Sequence, residues 1–145
     1  MHYDGSFEVP GKKEAVFEFI TNPRKVTTIF PDASDLKVID ENNFSSKVKV
    51  GMSFIRGTLD VKLNFVEKTP PTYAKLKAKG VGISSSVDLT TTFNLDDTPN
   101  GGTKVTWVAD ATISGLMASV GSRLMDSAAD KYVKEIIGGL QKALN

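Results

Sequence analysis

Apolar and polar residues alternate along most of this chain, with helical spacing only near its two ends. Tyr3, Gly5, Phe7 and Val9 alternate with polar neighbours, the period of a half-buried strand. Pro10-Gly11 ends that run, and KKEAVFEFIT then places Ala15, Val16, Phe19 and Ile20 at helical spacing. Asn22-Pro23 closes this helix and opens a second short one, over Pro23 to Phe30. Beyond Pro31-Asp32 the period is two. Val48, Val50, Met52 and Phe54 form one inward row, and Leu59, Val61, Leu63 and Phe65 the next. Ala74, Leu76 and Ala78 follow, then Val87, Leu89, Thr91, Phe93 and Leu95, and last Val105, Trp107, Ala109, Ala111 and Ile113. With a weaker strand over 35–41, this predicts a single α+β domain over residues 1–145. Its seven antiparallel strands would form a curved sheet around a long C-terminal helix, with two short helices after the first strand.

The segment ISGLMASVGSRLMD, residues 113–126, hands the last strand over to that helix. At about 100° per residue, Val133, Ile136, Ile137 and Leu140 share one side, and Lys131, Lys134 and Lys142 the other. Asp130 and Lys134 stand four residues apart, the spacing of a helical ion pair. In a straight helix Leu116, Val120 and Leu124 fall on the lysine side, and Ala118, Ser122, Met125 and Ala129 face the sheet. Small residues over a curved sheet leave volume unfilled. The lining expected for an apolar ligand is Val50, Met52, Phe54, Leu63, Leu76, Ala78, Phe93, Trp107, Ala118, Ser122 and Met125. Leu116, Met117 and Val120 are expected near the mouth, exposed, as a docking patch for a membrane or a partner. In the alternative, Gly115 and Gly121 kink the helix or delay its start, and the leucines turn into the core.

Composition narrows the chemistry. With 18 basic and 17 acidic residues there is no bulk field to favour nucleic acid. The absence of cysteine removes disulfides, thiolate metal sites and a cysteine nucleophile. The single histidine, His2, makes a catalytic triad or a histidine metal site a poor reading. GVGISS at 80–85 lies between two strands and reads as a hairpin turn, not a dinucleotide loop. Inward positions carry almost no titratable group; Thr91, Ser122 and Tyr132 are the polar ones. Lys47, Lys49, Lys62, Lys75, Lys77 and Lys79 occupy outward positions on three strands. They form either a solvated face or a basic stripe for anionic headgroups or an acidic partner. Without a signal peptide or a transmembrane run, the expected location is cytoplasmic.

Three stretches, GSFEVPGKKEAVFEFITNPRKV, KVKVGMSFIRGTLDVKLNFVEKTPPTY and GGTKVTWVADATISGLMASVGSRLMDSAADKYV, together resemble the CoxG-like family of carbon monoxide dehydrogenase subunits. That family lies in the START/Bet v 1-like (SRPBCC) helix-grip superfamily. The resemblance implies a curved sheet around a hydrophobic cavity and a role in membrane recruitment of the enzyme it serves; none of the matching motifs is catalytic, and no metal or covalent cofactor is expected. It also implies a bound quinone or lipid, and association with a molybdenum-containing carbon monoxide dehydrogenase or related hydroxylase. The family's Pro-Gly after the second short helix is FPDA here, and its Gly/Ala-rich stretch before the sixth strand is VGISSSV. A long C-terminal extension of some members is not matched, so the expected membrane contact is peripheral, at the inner face. Three readings stay open: a non-enzymatic carrier of an apolar ligand, a recruitment factor for a molybdenum hydroxylase with no ligand role, and a cyclase or dehydratase.

Overall fold

Period-two patterning produces the sheet. The computed structural model describes residues 1–52 and 54–145. In it β1 (His2–Val9) is followed by α1 (Lys13–Thr21), α2 (Pro23–Val26) and a 3-10 turn (Thr27–Ile29). Six strands come next: β2 (Ala33–Val38), β3 (Asn43–Met52), β4 (Ile55–Thr69), β5 (Tyr73–Gly82), β6 (Ser85–Asp97) and β7 (Thr103–Gly115). A second 3-10 turn (Leu116–Val120) leads into α3 (Ser122–Ala143). All neighbours are antiparallel, in the order β1-β7-β6-β5-β4-β3-β2. This is a curved helix-grip sheet of the START type.

Local chemistry accounts for the breaks. Pro23 opens α2, and the Asn22 side chain accepts a hydrogen bond from the Arg24 N–H at 3.0 Å, a helix cap. In α1 the buried residues are Val16, Phe17, Ile20 and Thr21; Ala15, expected inward, is exposed. β2 begins earlier than the 35–41 run suggested, and its pairing with β3 shifts register between Ser34 and Lys37. GVGISS is a hairpin, with Ile83 and Ser84 both at positive φ (54° and 51°), as a two-residue turn between twisted strands requires.

Register assigns the faces, because directly paired residues project to the same side. Val105 pairs with Leu95, Trp107 with Phe93, Ala109 with Thr91, and Ala111 with Leu89. Their continuations across β5 are Ala74, Leu76 and Ala78. This is the face that meets the helices.

Three clusters of buried side chains form on it among the described residues. One joins Val9, Leu95 and Val105 to Val16, Phe17 and Ile20 of α1 and to Leu140 near the end of α3. A second packs Phe44, Leu63, Phe65 and Leu76 under Val26 of α2. The third gathers Ile55, Leu59 and Met117 at the opposite end of the sheet, with Val50, Met52, Ile83 and Val120 against it.

Candidate ligand cleft and docking end

Between these clusters the inner face is apolar but not sealed. Leu89, Trp107, Ala109 and Ala111 point inward by register, yet each stays half-buried and packs against none of the three clusters among the described residues. The helix opposite behaves the same way. α3 buries only Met125 and Leu140, while Ala128, Ala129, Tyr132, Val133, Ile136 and Ile137 between them remain half-buried. It leans mainly on β1 and on the Thr27–Ile29 turn. Two hydrogen bonds hold it there. The Tyr3 hydroxyl donates to Asp126 Oδ1 at 2.7 Å, and Gln141 Nε2 donates to the Glu8 carbonyl at 2.9 Å. A helix tied at both ends, over a row of half-buried apolar residues, leaves its middle and that row incompletely covered, and the space between them is the candidate cleft.

The cleft is shaped by small residues. Trp107 lies flat on β1, because a Cβ at Gly5 would come within 3.1 Å of its indole ring. Ala109 and Ala111 continue the floor, and Ala128 and Ala129 face it from above. Two hydroxyls belong to this region, Thr91 on the sheet and Tyr132 on α3, and neither has a hydrogen-bond partner among the described residues. Burial, with the negative charges of Asp32 and Glu135, pushes the Tyr132 phenol up to about 12. It therefore stays neutral and able to donate at any ordinary pH. Tyr3 is likewise pushed up to about 12, first by burial and then by its bond to Asp126.

Several residues expected at the cleft lie elsewhere. Phe54 is 68% exposed at the tip of the β3–β4 hairpin, where the alternating row has already ended. Ala118 and Ser122 are exposed. The angular reading assumed one straight helix, but Gly115 (φ 84°) and Gly121 (φ 89°) each reset the chain direction. At Gly115 a Cβ would also collide with the Ser84 carbonyl oxygen. Leu63 and Leu76 face inward but are sealed in the second cluster, and Val50 and Met52 pack on the third. Of the expected lining, Trp107 and Met125 lie at the cleft; Phe93 and Ala78 face inward beside it but pack on the first and second clusters. The inward row of β6 and β7 already carried Leu89, Ala109 and Ala111 in the sequence, although the expected lining did not include them.

The end of the molecule beyond the cleft exposes apolar side chains. The Leu116 N–H donates to the Ser84 carbonyl and the Met117 N–H to Ser85 Oγ, so the Leu116–Val120 turn lies across the β5–β6 tip. Met117 is only 5% exposed and plugs into Ile55 and Leu59, which corrects its expected docking role. Val120 is partly buried on the same cluster. Leu116 (41% exposed), Leu124 and Phe54 do project to solvent at this end. Arg56 and Arg123 are exposed beside them.

Among the described residues no group of three or more His, Cys, Asp or Glu is placed to hold a metal ion. No described helix is long and apolar enough to cross a membrane.

Comparison with known proteins adds the following. Residues 5–145 match the CoxG family of carbon monoxide dehydrogenase subunits. No curated protein sequence matches the chain. Among solved structures, a conserved protein from Geobacillus kaustophilus aligns with a TM-score of 0.91 at 22% identity, over 99% of this chain and 95% of that one. The Zhui aromatase/cyclase from a Streptomyces species aligns at TM-score 0.71 and 8% identity, over 99% and 93% of the two chains. A START superfamily protein from Mycobacterium smegmatis aligns at 0.70 and 8%, over 99% and 96%. At these identities the structures share a fold with this chain.

Proposed function

Since this chain belongs to the CoxG family of carbon monoxide dehydrogenase subunits, we propose that it is a non-catalytic accessory protein that binds an apolar small molecule, a quinone or a lipid. The ligand lies between α3 and the floor formed by Leu89, Trp107, Ala109 and Ala111. The observation that carries this reading is the unsealed middle of α3, with apolar residues on both sides and large buried side chains only at its ends. The polar groups facing the cleft, Thr91 and Tyr132, are hydroxyls suited to holding a carbonyl or ester oxygen rather than to exchanging protons at neutral pH. The exposed end bearing Phe54, Leu116 and Leu124, with Arg56 and Arg123 beside them, is the docking end for an anionic membrane surface, and contact there is peripheral. The partner served is a molybdenum-containing carbon monoxide dehydrogenase-type enzyme.

The first test is organic extraction of protein purified without detergent, analysed by mass spectrometry beside its native mass. A stoichiometric quinone or lipid, or uptake of added menaquinone or ubiquinone that Ala109→Trp abolishes, supports the carrier. Protein that is empty and takes up neither quinone refutes it. The second reading, recruitment of the enzyme without a ligand, is favoured by one observation: the docking end rests on its own cluster around Met117, separate from the cleft. It predicts that Ala109→Trp leaves association with the enzyme and with vesicles unchanged.

A further inference from the structure

The face of the sheet turned away from the helices carries a broad concavity of about 890 Å³, which the cleft reading does not use. Its floor is set by register. One row runs Thr112, Asp88, Lys79, Lys62 across β7, β6, β5 and β4, and the adjacent row runs Asp110, Thr90, Lys77, Asn64. Exposed Met1 stands at one rim and exposed Ile39 at the other.

The charges of this floor are unevenly satisfied. Asp110 is engaged by His2 at 2.6 Å, and this contact, with that of Asp4, raises the histidine's affinity for a proton. Lys62, Lys77 and Lys79 form no ion pair among the described residues, and Asp88, though it is the direct partner of Lys79, makes none either. Lys62 and Lys79 are themselves directly opposite one another, an arrangement of like charges that costs stability. Three unpaired ammonium groups therefore crowd one half of the trough. Alternate residues of a strand lie about 6.6 Å apart and paired residues about 5 Å. An extended peptide has the same repeat, so alternate carboxylates along it meet Lys77 and Lys79 in step.

We propose that this trough is the docking site for an acidic, extended segment of a partner protein. The proposal rests on the accessory reading above and supplies the place where the partner is held, on the face opposite the ligand. Two features select a peptide over other anions. A flat bilayer cannot follow a concave floor, and Asp88 and Asp110 on that floor repel a polyphosphate backbone while leaving room for a segment of mixed sequence.

The test uses the whole chain, isotopically labelled, and a short synthetic peptide of alternating Glu and Ser, followed by amide chemical shifts at low salt. The expected result is shifts confined to the outward residues of β4, β5 and β6, fading as salt is raised. The triple variant Lys62→Ser, Lys77→Ser, Lys79→Ser is expected to lose at least about ten-fold in affinity, a loss of about 1.4 kcal/mol. It should melt no lower than the parent, because a repulsion has been removed. The control Lys131→Ser, Lys134→Ser, Lys142→Ser, on the outer side of α3, should bind as the parent does. Equal losses in both triples, shifts spread over every lysine, or phosphatidylserine-vesicle binding that only the sheet triple loses would each overturn the proposal. Quinone uptake by the sheet triple is read separately, so failure of the ligand reading and failure of this one are told apart.

Discussion

The two ends of α3 and its middle present the same kind of residue to the same sheet and fare differently. Leu140 meets Val9, Val105 and the side chains of α1 and is 2% exposed; Ile136, one turn earlier, stays half-buried. α1 is the reason. It supplies Val16, Phe17 and Ile20 to fill the space beside Leu140, and among the described residues no element does so along the middle of the helix. The lesson is that this fold separates stability from binding by position along one helix. Where a second layer of side chains arrives, the sheet is closed; where only α3 arrives, it stays open.

Breaking the sealed end should have the largest effect. Leu140→Ala is expected to cost about 2–5 kcal/mol in urea unfolding, whereas Ile136→Ala should cost less than half as much, since less of it is buried. Equal losses would mean that the middle of α3 is packed and the cleft does not exist. Gly115→Ala comes next. It forces a Cβ into the Ser84 carbonyl at a positive φ and should cost more than about 1 kcal/mol, with amide exchange rising around Met117 but not around Leu140. Tyr3→Phe removes the tie between β1 and the start of α3. About 0.5–1.5 kcal/mol is expected, with faster exchange confined to the first turns of the helix.

The smallest effect concerns pH. Asp110 and Asp4 raise the pKa of His2, so the folded state binds its proton more tightly than the unfolded chain does. That contribution is complete below about 6.5 and is lost as pH rises through the raised value. His2→Ala should flatten the melting temperature over that window only slightly, because the pair is exposed and screened. An unchanged slope would remove His2 from the account.

The strands and their faces were legible in the chain because alternation is a local property. Trp107, Ala109 and Leu89 could be placed on the inner face before any partner strand was known. The fate of Leu63 and Leu76 was not legible: Asn22-Pro23 announced a second short helix, but nothing in the sequence said that it lays Val26 over these two side chains. Phe54 misled because alternation continues to the end of a strand without marking where the hairpin turns. The docking turn misled for a related reason. Helical angles hold only within one helix, and the glycine at 121 divides Met117 from Met125. The alternative that Gly115 and Gly121 delay the start of the helix describes the structure, and of the residues between them it is Met117, not Leu116, that turns inward.

The pairing of the first strand with the seventh has a consequence for synthesis. Val9 lies beside Thr103 and His2 beside Asp110, so β1 finds its neighbour only after most of the chain has left the ribosome. The meander from β2 to β6 consists of near neighbours and can assemble as it emerges. β1 and α1 must wait, and so must the closed end they complete with Leu140. Until they arrive, the inner face of that meander, with Leu76 and Leu89 on it, has neither β1 nor α1 beside it.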